Sequence, residues 1–176
     1  SLGIEGTEAE DVFIGNGVSE VVNFALMPLL NPGDEVLIPT PTYSLWSNSV
    51  LLAGAKPVYY RCDEASGWNP DVADLRSKVT SRTRAMVIIN PNNPTGAIAT
   101  REFYEEAIAF AKKYDIIICH DAAYSEVAYD GYVPLSFMEI EGAKEVGIEF
   151  NSVSKPFNMT GWRIGFCAAP LWIAKA

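Results

Sequence analysis

The sequence predicts an α/β fold, a mostly parallel sheet with helices on its faces, from three observations. Short apolar runs alternate with segments of helical period along the chain. Glycine, asparagine and proline punctuate the changeovers, and polar side chains gather just after the runs, where open α/β folds place their ligands. The 176 residues, 49% hydrophobic and 20% charged, suffice for one domain, residues 1–176, with a real core.

Seven runs read as strands: residues 11–15, 35–38, 57–60, 85–90, 116–119, 147–153 and 163–168. Between the first two, Val18, Val21, Val22, Ala25, Leu26, Leu29 and Leu30 recur at steps of three and four. They give one apolar helix face that ends at Asn31-Pro32-Gly33, with Pro28 closing or kinking the last turn. A second helix is expected over 69–79, capped by Asn69, with Pro70 at its first position and Val72, Leu75 and Val79 inward. A third is expected from the cap Thr100 through Phe103, Ala107, Ile108, Ala111 and Tyr114. Residues 171–176 open another helical pattern and stop without a terminating signal, so the chain is expected to be a fragment of a longer protein. Ser1-Leu2 is compatible with a cloning scar.

Charge and cysteine usage narrow the function. A formal net charge of -9 argues against nucleic acid as a partner, because neutralising a phosphate backbone takes a basic stripe. Any phosphate must be held locally. Cys62, Cys119 and Cys167 are widely spaced in apolar surroundings and fit reduced packing thiols better than a disulfide or zinc framework, and the lone His120 offers no metal site. With no membrane-length apolar stretch and no signal peptide, the chain reads as cytoplasmic.

The polar clusters carry the chemistry. After the first strand, Gly15-Asn16-Gly17-Val18-Ser19 opens the amphipathic helix, so backbone amides and the positive helix end would face an anion; the same glycines also suit a plain strand-to-helix turn. After the second comes the stiff loop Pro39-Thr40-Pro41-Thr42-Tyr43, whose tyrosine either covers a ring or packs under the loop. Asn90-Pro91-Asn92-Asn93-Pro94-Thr95-Gly96 follows the fourth, with two prolines stiffening it and asparagine amides on offer. Asp121, ending an Ile-rich strand, needs a cationic partner if half buried, or else caps the next element; Tyr124 follows three residues later. Ser152-Val153-Ser154-Lys155 then places a lysine among hydroxyls, with Arg163 eight residues on. Such a lysine suits a Schiff base with a phosphorylated cofactor, since partial burial and a nearby cation favour the nucleophilic neutral amine and arginine grips phosphate in a fork.

With these motifs in this order, the chain resembles the large domain of the class I and II aminotransferases, the pyridoxal-phosphate enzymes of fold type I. The matching segments are Asn16-Gly17-Val18-Ser19-Glu20, Pro32-Gly33-Asp34-Glu35-Val36, the Asn90 to Gly96 run, Asp121-Ala122-Ala123-Tyr124 and Ser152-Val153-Ser154-Lys155. The run from Phe157 to Phe166 most resembles the branch with alanine-type, aromatic and diaminopimelate aminotransferases. The resemblance implies a three-layer α/β/α fold whose seven-stranded sheet is parallel except for its last strand. It implies pyridoxal 5'-phosphate as cofactor, amino acid and 2-oxo acid substrates, and a homodimer at full length. It further implies that Lys155 holds the cofactor and moves the substrate proton, and that Asp121 partners the ring nitrogen. Tyr124 and Asn93 would bind the phenolate oxygen and Tyr43 the ring face, while Gly17, Val18, Ser19, Ser152 and Arg163 would form the phosphate cup. Family members are more than twice as long, and their amino-terminal arm and carboxyl-terminal small domain are expected to be absent here.

Two other readings fit the same motifs. A pyridoxal-phosphate lyase or decarboxylase uses the same fold and electron sink. The effector-binding domain of an aminotransferase-like transcription regulator would need a basic helix-turn-helix upstream, which this acidic chain does not show.

Overall fold

A computed structural model of the chain describes residues 7–174; Ser1-Leu2 and the end of the last helical pattern, 175–176, lie outside the described residues. In chain order the elements are β1 (Val12–Asn16), α1 (Val18–Leu29), β2 (Glu35–Thr40), α2 (Ser44–Leu52), β3 (Lys56–Asp63), β4 (Asn69–Pro70) and α3 (Val72–Ser77). There follow β5 (Thr83–Ile89), α4 (Arg101–Tyr114), β6 (Ile117–Asp121), α5 (Ala143–Val146), β7 (Gly147–Ser152), β8 (Ile164–Ala168) and α6 (Leu171–Ala174). One sheet runs in the order β1-β8-β7-β6-β5-β2-β3-β4. Neighbours from β7 through β3 pair in parallel, and β8 runs antiparallel to both β1 and β7.

Strand alternation distributes the apolar side chains to two cores. Along β2, Val36 and Ile38 pack with α1 and α2, while Leu37 between them joins the core under α3 and α4. Along β5, Ala85, Val87 and Ile89 take the first side and Met86 and Ile88 the second. Helices therefore cover both faces, which is the three-layer arrangement expected. α1 buries Val21, Val22 and Leu26, carries Pro28 within its last turn and ends just before the Asn31-Pro32-Gly33 turn. α4 is capped by the Thr100 side chain, which accepts from the Phe103 N–H.

Several boundaries depart from the sequence reading. The sheet has eight strands among the described residues, the additional one being β4, a two-residue pair against the end of β3. Asn69 and Pro70 belong to that strand and not to a helix. Asp71 caps α3 instead, because its carboxylate accepts from the N–H groups of both Ala73 and Asp74, whereas the Asn69 amide turns back to the Ser66 carbonyl. The helices α2 and α5 are additions to the sequence reading. Arg163 sits ahead of β8 with a left-handed φ of 52° instead of opening the strand.

Cys62, Cys119 and Cys167 are free and buried, and burial pushes their thiols up to about 11, 12 and 11 respectively. They are packing residues, as their apolar surroundings predict. Among the described residues no helix is long and apolar enough to cross a membrane.

The reversed strand β8 lies directly against the start of α1. A Cβ built on Gly165 would come within 2.3 Å of the Val18 backbone nitrogen and 2.6 Å of the Gly17 carbonyl carbon. Backbone cannot give way as a side-chain tip can, so Gly165→Ala is expected to push the α1 start off the sheet and to destabilise the fold by about 1–3 kcal/mol. Urea unfolding measures this.

Candidate active site

The chain order of the sheet reverses between β2 and β5, since β3 lies outward on one side and β6 and β7 on the other. Open α/β sheets hold ligands at such a point, beyond the carboxyl ends of the strands. A cavity of about 200 Å³ opens on this edge, lined by Gly17, Val18, Ser19, Tyr43, Asn93, Asp121, Tyr124, Ser152, Lys155 and Arg163. These ten are all the site residues that the sequence singles out, and they arrive from five separate strand-end segments, the last of which, between β7 and β8, supplies Ser152, Lys155 and Arg163. Because β8 is antiparallel, Arg163 at its start reaches the same edge as the ends of the parallel strands. Leu45, Ile89, Ala123 and Ser154 complete the lining.

One end of the cavity is built for an anion. The first amides of α1 lack partners within the helix, and Ser19 and Ser152 stand beside them on the lining. Gly17 has φ 81°, and a Cβ there would come within 2.5 Å of the Arg163 guanidinium. The glycine thus lets the turn form and lets arginine close on it. Arg163 is steadied by donating to the Thr160 carbonyl at 3.3 Å. The Ser152 hydroxyl accepts from the Ser154 N–H at 3.2 Å.

The other end is organised by Asp121. Its side chain is buried, with Oδ2 accepting from the Trp46 indole N–H at 2.8 Å and Oδ1 from the Ala123 N–H at 3.1 Å. Burial raises its carboxyl, against the two hydrogen bonds and the neighbouring His120 and Lys155. A cationic ring nitrogen within hydrogen-bond reach of Asp121 would oppose that rise by favouring the carboxylate. Lys155 Nζ lies 5.2 Å from the centroid of the Tyr124 ring. Lys155 lines the cavity yet is exposed, as is Arg163, because the turn after β7 carries the lysine out from the sheet. Lys155 thus reaches the cavity as expected but without the partial burial expected of it. Tyr43 is also exposed, at the mouth, and Asn93 and Tyr124 are half-buried.

Trp46 is a site residue that sequence reasoning misses. It lies on α2, fully buried, with its ring edge-on to Phe150 at 5.3 Å between centroids, and it is the side chain that fixes Asp121 Oδ2. A buried tryptophan needs an acceptor for its N–H, and that requirement was the available signal.

The residues fit pyridoxal 5'-phosphate in the chemistry of their donor set: amides, hydroxyls and a guanidinium for the phosphate, a carboxylate for the ring nitrogen, and an amine for the aldehyde. The chain is 58% identical over 137 residues to an LL-diaminopimelate aminotransferase of Halothermothrix orenii, covering 78% of this chain and 35% of that protein. It is 44% identical over 161 residues to an alanine aminotransferase of Mycobacterium tuberculosis, covering 92% and 37%. The crystal structure of an aminotransferase from Escherichia coli superposes with a TM-score of 0.90 at 43% identity, over 96% of this chain and 41% of that one. The chain therefore spans well under half the length of these relatives. A family model described as aminotransferase class I and II matches residues 3–176, and the chain belongs to that family.

Proposed function

We propose that the protein carrying this chain is a pyridoxal-phosphate-dependent aminotransferase that moves an amino group between an amino acid and a 2-oxo acid. The observation that carries the reading is the convergence of ten residues from five strand-end segments on one cavity. The relatives named for LL-diaminopimelate and alanine favour transamination over lyase, decarboxylase or regulatory roles.

When bound, pyridoxal phosphate supplies an electron sink for a bond broken at the substrate α-carbon. The α1 amides at Val18 and Ser19, the hydroxyls of Ser19 and Ser152 and the Arg163 fork hold the phosphate. Asp121, oriented by Trp46 and Ala123, keeps the proton on the ring nitrogen. Tyr124 and Asn93 would hold the phenolate oxygen, and Tyr43 would cover the ring. Lys155 would supply the amine that holds the cofactor's aldehyde and, when free, the base that moves a proton at the substrate α-carbon. Phe24 and Met27 on α1 and Leu51 and Leu52 on α2 are exposed apolar side chains, and this face supports a homodimer at full length. A cytoplasmic location accords with buried, unpaired thiols.

Three tests follow from this assignment. In the full-length protein Lys155→Ala is expected to abolish borohydride-trappable cofactor linkage, read by mass spectrometry, and persistent trapping would sink the assignment. Trp46→Phe keeps the packing on Phe150 but removes a hydrogen bond to a charged group, worth about 1.5–3 kcal/mol, so kcat is expected to fall roughly 10–100-fold while the cofactor stays bound. Unchanged kcat would reduce Trp46 to packing. The 176-residue chain on its own is expected to show no measurable transamination, since it spans only 35%, 37% and 41% of the three relatives named above and lost positioning removes a large part of the rate. Steady turnover near the full-length rate is the contrary result.

A further inference from the structure

On β6 the side chain next to Asp121 points the other way. His120 is 1% exposed and faces the core under α4, outside the cavity and without a part in the mechanism above. Its Nδ1 lies 3.1 Å from Glu149 Oε2 on β7, and its Nε2 lies 2.9 Å from Tyr104 Oη on α4. Tyr104 Oη in turn accepts from the Asn90 side-chain N–H at 2.6 Å. All four residues are buried. Replacing buried ion pairs by apolar side chains of like volume is often neutral or stabilising in proteins, so a buried polar set calls for a reason beyond stability.

Donor accounting gives the chain a direction. Glu149 is surrounded by donors: the Ser136 hydroxyl at 2.9 Å, the Phe137 N–H at 3.0 Å and the Asn151 amide at 3.3 Å. Burial pushes its carboxyl up, but the His120 ring first, and then Ser136 and Asn151, outweigh that push and hold it below its usual range. As a carboxylate it only accepts, so His120 Nδ1 carries a hydrogen. Tyr104 Oη already accepts from Asn90, and its own hydrogen has one partner within reach, His120 Nε2. With Nε2 unprotonated every donor and acceptor along the line is used; with Nε2 protonated the Tyr104 hydroxyl hydrogen is left buried and unpaired, which costs free energy.

The line ends where the site begins. The Asn90 backbone N–H donates to the Asp121 carbonyl at 3.0 Å, and its side-chain oxygen accepts from the Ala99 N–H at 2.7 Å. One residue therefore closes both ends of the 90–99 loop that carries Asn93 and ties it to the strand end that carries Asp121. We propose that Asn90, Tyr104, His120 and Glu149 form a one-way hydrogen-bond relay that holds Asn93 and Asp121 in fixed relation, with His120 a positioning residue in its neutral Nδ1–H form. The positioning role rests on the cofactor reading of the cavity given above.

The test uses the full-length protein. In a 15N-histidine spectrum, the His120 signals are identified as those that vanish in His120→Asn and shift in Tyr104→Phe. One protonated and one unprotonated ring nitrogen is expected; two protonated nitrogens overturn the relay. Equilibrium dialysis then compares pyridoxine 5'-phosphate, which has the ring and phosphate but no aldehyde, with inorganic phosphate, which reads only the anion end. Tyr104→Phe removes one hydroxyl and is expected to weaken pyridoxine phosphate about tenfold while leaving phosphate affinity unchanged. Equal affinity to wild type, or equal weakening of both ligands, overturns the positioning role. A wild-type protein that binds neither ligand instead overturns the cofactor reading, and the positioning role falls with it.

Discussion

The parallel register of β5, β6 and β7 is the constraint on which everything else hangs. It sets Ile89 beside Asp121 and Asp121 beside Phe150, so the loops that follow these strands open together on one edge. Because side chains alternate along a strand, the same register decides that Asp121 faces the cavity and His120 the opposite core. A slip of one residue would exchange them and leave a carboxylate among the aromatic rings of Tyr104 and Phe137. Fold specificity and site chemistry are here one requirement. The reversed strand β8 completes it by delivering Arg163 from the other direction to the same edge.

Two buried carboxylates on neighbouring strands meet opposite electrostatic conditions. Glu149 is saturated with protein donors and held ionised, whereas Asp121 has two and is raised by burial. One is complete within the protein; the other has room for a cationic partner from outside. That contrast separates a structural acid from a ligand-binding one more sharply than exposure does, since both are almost fully buried. The net charge of -9 works against anion binding at long range, but over a few ångströms Arg163, Lys155 and the α1 amides outweigh it, because screening shortens the reach of the distant charges.

The site was legible in the sequence because each of its loops follows an apolar run, and polar residues at strand ends are local signals. What escaped was non-local or too short. Trp46 and Asp121 are 75 residues apart, and only the fold makes their bond. His120 lacks partners for a metal in the sequence, and its real partners lie 16 and 29 residues away. The helix α2 hid because its inward face is Trp46, Ser49 and Val50 while Leu51 and Leu52 face out, so apolar character does not track the helical period. Asn69-Pro70 imitates a cap and first turn, and two residues of strand carry no periodicity to contradict it.

The three cysteines give the molecule an internal record of how it opens. Cys62 belongs to the core under α3 and α4, while Cys119 and Cys167 belong to the core under α1 and α2. Thiols held in the unreactive protonated form by burial meet an alkylating reagent only when their own layer parts. The order in which they are modified therefore reports which side of the sheet loosens first, and a ligand seated at the strand ends would slow each layer in proportion to how far it must open before that ligand is lost.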